Sequence, residues 1–152
     1  MGAPEAQALT VLDASALVAF FADEPARRQV EDLLHARPDS AIAAANLAEV
    51  VDVLVRRHGH DAEVVREKID LLMVAGLEVE PVWLRVTWLA TALRARHYHR
   101  TRSPVSLADC ICIATAINLE TDLATTDPAL AAVARAAGVE VIALPDSEGR
   151  RP

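Results

Sequence analysis

Four carboxylates stand where alternating strands and helices would gather them. Asp13 closes the run Thr10-Val-Leu-Asp13-Ala-Ser15, and Asp127 closes Leu123-Ala-Thr-Thr126-Asp127 before Pro128. Glu49 follows Asn46 by three residues, and Asp109 follows Ser106 by three. Asp109 is the most informative of them, because residues 107–117, Leu-Ala-Asp-Cys-Ile-Cys-Ile-Ala-Thr-Ala-Ile, hold no other charge. Such a helix is apolar on nearly every side and should be buried, where a carboxylate is costly unless it is paired or bound to a cation. Mg²⁺ and Mn²⁺ prefer oxygen ligands, and a few carboxylates around waters suit phosphate-ester chemistry. A bound cation also relieves the repulsion of like charges held close together.

Each acid has a plainer reading. Asn46-x-x-Glu49 and Ser106-x-x-Asp109 both approximate a capping box, Asp127 before Pro128 reads as an N-cap, and Asp13 could cap a helix from Ala14. Capping explains any one acid more easily than it explains four at one predicted edge. Ser15 and Thr126 flank two of the acids, and their hydroxyls could orient a water or a phosphate. Asp52 and Asp122 are explained by a solvated helix face and a turn.

The elements that must position these groups follow from periodicity. Strands are expected at residues 9–12, 40–44, 77–80, 123–126 and 139–144, with helices between them, an α/β pattern around a parallel sheet. Pro25 reads as the start of a helix to about Arg37, and Asn46 as the cap of a helix ended by Gly59. Asp61 caps the next helix, residues 82–96 form one carrying both tryptophans, and Ser106 caps another to about Asn118. A last helix at residues 128–137 is closed by Gly138. Parallel strands joined by right-handed crossovers open their C-termini on one edge, where ligands bind. Asp13, Glu49 and Asp127 therefore converge by topology.

The chain has 152 residues, enough for one domain, here residues 9–145 between flexible ends at 1–8 and 146–152. Apolar content above half argues for a globular chain, and no run is long enough to span a membrane. Residues 1–8 carry Glu5 and lack a basic start with a long apolar stretch, so a cytoplasmic location is expected. Cys110 and Cys112 have no zinc-like spacing to histidines, would lie about 200° apart on a helix, and read as buried free thiols. The formal charge of −7 argues against a nucleic-acid partner, but its distribution does not. Every basic residue except Lys68 is an arginine, and Arg94, Arg96, Arg100 and Arg102 crowd one stretch just before Asp109. They could grip phosphates that the acids would repel, or simply solvate a helix end.

The four acidic blocks, Val-Leu-Asp13-Ala-Ser15, Asn46-Leu-Ala-Glu49-Val, Ser106-Leu-Ala-Asp109-Cys and Leu-Ala-Thr-Thr126-Asp127, together resemble the PIN-domain ribonucleases. Among these they are most similar to the VapC-type toxins of toxin–antitoxin modules. The likeness runs from about Thr10 to Leu144 with the blocks in order, while the stretch between Glu49 and Asp109 carries no such signature. The resemblance implies a three-layer α/β sandwich with a central five-stranded parallel sheet. It implies Mg²⁺ or Mn²⁺ held by Asp13, Glu49 and Asp109, with Asp127 acting through water, and endonucleolytic cleavage of RNA by a metal-activated water. It also implies a homodimer held inactive by a cognate VapB-type antitoxin. Two other readings compete. A haloacid dehalogenase-like phosphatase would need an acid two residues after Asp13, where Ser15 stands. A non-catalytic PIN-like module binding RNA or protein would have no need of four intact acids.

Overall fold

The computed structural model describes residues 9–36 and 40–152, so the expected flexible segment at 1–8 and the helix end near Arg37 lie outside the described residues. Short apolar runs become strands β1 (Thr10–Leu12), β2 (Ser40–Ala43), β3 (Leu77–Glu80), β4 (Asp122–Thr125) and β5 (Val141–Ala143). All pair in parallel, in the order β3-β2-β1-β4-β5. The chain thus starts at the middle strand, builds outward on one side, then returns to build on the other. Between β1 and β4 lies the switch point, whose C-terminal crevice is the usual ligand site of an open parallel sheet.

Seven α-helices among the described residues cover the sheet: α1 (Ala14–Phe21), α2 (Arg27–Ala36), α3 (Ala44–Asp52), α4 (Ala62–Val74), α5 (Leu84–His97), α6 (Leu107–Leu119) and α7 (Pro128–Ala136). Strand side chains alternate in direction, so neighbouring residues feed different cores. Leu12 and Ile42 pack with Leu17, Val30, Val50 and Leu54 under α1–α4. Val11 and Leu123 pack with Val86, Ile113, Leu130 and Val133 under α5–α7. This is the expected three-layer α/β sandwich. As anticipated for α6, Cys110, Cys112, Ile113, Ala114, Thr115 and Ala116 are buried, and both thiols are free.

Two local expectations are corrected. Asn46 is not an N-cap: α3 begins at Ala44, directly after β2 and without a side-chain cap, which leaves Asn46 inside the first turn and fully buried. The helix also does not run on regularly to Gly59 but passes at Val53–Arg57 into a π-helical turn, a widening often found at functional sites. The tail after β5 holds a turn in which the Asp146 carboxylate accepts bonds from the backbone N–H of Glu148 and Arg150. No helix among the described residues is long and apolar enough to cross a membrane.

Candidate active site

The C-terminal ends of the strands open into a cleft of about 200 Å³ whose lining includes Asp13, Glu49, Asp109 and Asp127. A larger cleft of about 730 Å³, at the opposite ends of the strands beside Leu9, Thr121 and Val139, contains none of the four acids. Chain direction explains the gathering. Asp13 follows β1 and sits beside β4, its N–H donating to the Ala124 carbonyl. Asp127 lies two residues beyond β4, Glu49 is on α3 after β2, and Asp109 is in the first turn of α6.

Capping and gathering turn out to be one arrangement. Asp13 Oδ2 accepts the backbone N–H of Ser15 at 3.3 Å, the Ser15 hydroxyl at 2.6 Å and the Thr125 hydroxyl at 2.9 Å. Asp109 Oδ2 accepts the Ser106 N–H at 2.6 Å while Ser106 Oγ accepts the Asp109 N–H at 3.0 Å, a complete capping box. Asp127 Oδ1 accepts from the N–H groups of Ala129 and Leu130. Each aspartate therefore commits one oxygen to the fold and keeps the other without a hydrogen bond among the described residues. Glu49 caps nothing, and both its oxygens are in that condition.

The electrostatics record the crowding. Asp13 is 3% exposed, and burial first, then the Asp109 charge, pushes its pKa up to about 6 against the pull of the Ser15 and Thr125 hydroxyls. Desolvation raises Glu49, reinforced by the charges of Asp13, Asp109 and Asp127. Asp109 is also raised, by desolvation and by Asp127, while its bonds to Ser106 and the Arg94 charge oppose the rise. Burial and these carboxylates hold the Cys112 thiol well above its usual range, so it stays neutral and takes no part as a nucleophile.

Among the described residues, no three carboxylate, imidazole or thiolate groups close tightly enough to enclose an ion unaided. The donor set nevertheless suits a hydrated hard cation, because Mg²⁺ keeps several waters and takes only one or two carboxylates directly. Hard oxygen donors, mutual repulsion and one free oxygen on each aspartate all fit such an ion.

Three residues whose part sequence reasoning missed line or support the cleft. The hydroxyl expected of Thr126 comes from Thr125: its Oγ1 donates to Asp13 and accepts the Asp127 N–H at 3.0 Å, whereas Thr126 contributes its backbone N–H to Ser15 Oγ at 3.1 Å. Arg57, at the end of the π turn, lines the cleft beside the acids. Asn46 Nδ2 donates to the Ala108 carbonyl at 3.1 Å and ties α3 to α6 one residue before Asp109. Of the four arginines expected near the acids, Arg94 is half-buried and its charge reaches Asp109, while Arg96, Arg100 and Arg102 are exposed. The last two sit on a tight loop closed by paired backbone bonds between His99 and Ser103.

Thr125→Val keeps the shape of the side chain but removes a donor that stabilises ionised Asp13. The Asp13 pKa, followed by carboxyl carbon NMR, is expected to move above 6. Metal-free stability should fall by about 1–2 kcal/mol above that pH and by less at pH 4–5, where the carboxyl is protonated. An unmoved titration would show that this hydroxyl does not hold the carboxylate.

A family model described as PIN domain matches residues 10–136. Comparison with curated proteins gave no match. Among solved structures, the chain is similar to Mycobacterium tuberculosis VapC20, described as a sarcin–ricin loop cleaving toxin. That match has a TM-score of 0.65 and 22% identity, over 81% of this chain and 93% of that one. A toxin–antitoxin complex from Klebsiella pneumoniae matches with a TM-score of 0.55 and 21% identity, over 78% and 86%. Rickettsia felis VapBC2, bound to a promoter DNA fragment, matches with a TM-score of 0.64 and 17% identity, over 88% and 97%.

Proposed function

The chain belongs to the PIN domain family, and on that premise we propose that it is a divalent-metal-dependent endoribonuclease serving as the toxin of a toxin–antitoxin pair. The observation that carries this reading is the cleft in which four carboxylates meet, three of them with one oxygen tied to the fold and one left over. Asp13, Glu49 and Asp109 would hold Mg²⁺ or Mn²⁺, with Asp127 contributing through water. When bound, the ion would supply a nucleophilic water and neutralise charge on the phosphate.

The remaining work falls to the chain itself. Ser15 and Thr125 fix the Asp13 carboxylate in place through Oδ2. Arg57 stands at the acidic cleft with a guanidinium suited to a phosphate oxygen, which the carboxylates alone would repel. The attacking water forms its bond to phosphorus as the ester bond to the leaving oxygen breaks. The proton it releases passes to a carboxylate oxygen left without a hydrogen bond among the described residues. Arg94, Arg96, Arg100 and Arg102 would attract the RNA backbone from outside the cleft.

A cognate antitoxin and a second copy of the chain are the proposed partners, in keeping with the toxin–antitoxin complex among the solved neighbours. Exposed apolar groups support such contacts: Trp83, Leu84 and Trp88 on or beside α5 are 60%, 69% and 67% exposed, and Val74 is 88% exposed. The decisive assay uses purified protein, stripped of any partner, on structured RNA. Cleavage should require Mg²⁺ or Mn²⁺, stop with EDTA, and fall by about 10³-fold or more in Asp109→Asn. Cleavage unaffected by either change would reject the metal-dependent reading, and a protein that binds RNA without cutting it would be the non-catalytic module.

A further inference from the structure

Apart from the acidic cleft, a second recess of about 450 Å³ opens near the start of α6, the helix that carries Asp109. Thr91, Arg94, Ala95, Tyr98 and Leu107 line it, where the end of α5 meets the start of α6. Its volume lies within the usual range of small-ligand sites. The Arg94 guanidinium lies 4.6 Å from the centre of the Tyr98 ring, a planar cation held over one aromatic face. Arg94 forms no ion pair among the described residues, so its outer face and its donors are uncommitted. Ala95 and Leu107 make the apolar edge, and the Thr91 hydroxyl, which donates to carbonyls of its own helix, keeps its lone pairs as acceptors. The recess is coupled to the acids: Leu107 shares the first turn of α6 with Asp109, and the Arg94 charge acts on Asp109.

We propose that this recess is a nucleotide subsite seating one unstacked base of the RNA against the Arg94–Tyr98 stack. The neighbouring phosphate takes the Arg94 guanidinium, which places the following linkage toward Asp109. Unpaired bases in RNA are read by stacking on aromatic rings and guanidinium planes, whereas a base inside a duplex has no free face to offer. Positive charge, a flat stack, an apolar edge and a single acceptor match a base with its phosphate. This subsite rests on the reading of the chain as an RNA-cleaving enzyme, but it is testable without cleavage.

The experiment is fluorescence anisotropy with the full chain and a labelled single-stranded oligoribonucleotide, in EDTA so that the strand stays uncut. Tyr98→Leu should weaken binding about tenfold and Tyr98→Phe less than twofold. Arg94→Gln should weaken it and flatten the slope of log affinity against log salt by about 0.7. A duplex of equal length should respond to Tyr98→Leu by less than twofold. Tyr98 and Arg94 sit at the surface end of α5, so the variants should fold, and thermal melts verify this. Equal affinity of wild type and Tyr98→Leu for the single strand, or equal loss for strand and duplex, overturns the subsite even if the wild type cleaves RNA. So does a Tyr98→Leu variant that binds RNA normally but loses a co-purifying protein partner. Tyr98-dependent binding by a wild type that never cleaves supports the subsite and rejects the nuclease, and a wild type that binds no RNA rejects both.

Discussion

Asp13→Asn is expected to make the metal-free protein more stable while abolishing its activity. Burial pushes the Asp13 pKa from 3.8 up to about 6. Below pH 4 the carboxyl is protonated in folded and unfolded chains alike, and it carries no penalty. Between about pH 4 and 6 the unfolded chain ionises while the fold still holds the proton, so stability falls as pH rises. Above pH 6 the full penalty, about 3 kcal/mol, is in force. An asparagine never ionises, and its carbonyl still accepts from Ser15 and Thr125. Its amide must find acceptors of its own, which trims the gain to about 2 kcal/mol. The variant also removes a negative charge that raises Glu49. Urea melts in EDTA should give curves that coincide near pH 4 and separate in favour of the variant by pH 8.

Millimolar Mg²⁺ should then reverse the order, because a ligand bound only to the folded wild type stabilises it by RT ln(1 + c/Kd), which keeps growing with the ion's concentration c. RNA cleavage should fall about 10³-fold or more, since the group proposed to place the ion is gone. A variant less stable than wild type at pH 8 in EDTA, or equal stabilisation of both by Mg²⁺, would mean that Asp13 is a structural carboxylate and the cleft is not a cation site. Acids that only cap helices should, on losing their charge, lose stability at neutral pH. Acids held together for a cation should gain it.

How far the sequence could be read depended on whether a feature was local. Asp127 before Pro128 and Ser106 three residues before Asp109 are short-range signals, and both caps are present in the fold. That the strand C-termini share one edge, and with it the meeting of Asp13 and Asp127 there, followed from rules that hold for almost any parallel sheet, whereas the order β3-β2-β1-β4-β5 is legible only in the structure. Thr125 was missed because β4 ends one residue earlier than its composition suggests, and one residue of register exchanges the two faces of a strand. Asn46 was misread because asparagine is a favoured cap. The preceding Ala44-Ala45 pair is instead good helix-forming sequence, so the helix starts before Asn46 and turns that side chain toward α6. Nothing local in Val53–Arg57 marks the π turn that ends at Arg57, which lines the cleft.

Asn46→Asp should be strongly destabilising at neutral pH. Asn46 is fully buried, and its amide donates to the Ala108 carbonyl across the α3–α6 contact. Its other polar atom, Oδ1, is buried with no hydrogen-bond partner, so the site offers nothing to stabilise added negative charge. An ionised aspartate would set a carboxylate oxygen against the Ala108 carbonyl and add a further anion close to Glu49 and Asp109. An uncompensated buried charge costs about 3–5 kcal/mol, a large share of the 5–15 kcal/mol that holds a domain of this size together. Protonated, the same side chain is nearly isosteric with asparagine and can donate to Ala108. The folded-state pKa of the new carboxyl is therefore raised, its fold is retained at pH 4, and the fold weakens as pH climbs toward neutrality. Asn46→Ala removes the bond without adding charge and should cost about 1–2 kcal/mol at every pH. Denaturant melts of the three proteins at pH 4 and pH 8 separate these effects. If Asn46→Asp matches Asn46→Ala at pH 8, water reaches the junction between α3 and α6, and the two helices do not hold Glu49 and Asp109 in the dry, rigid register that the crowded cleft requires.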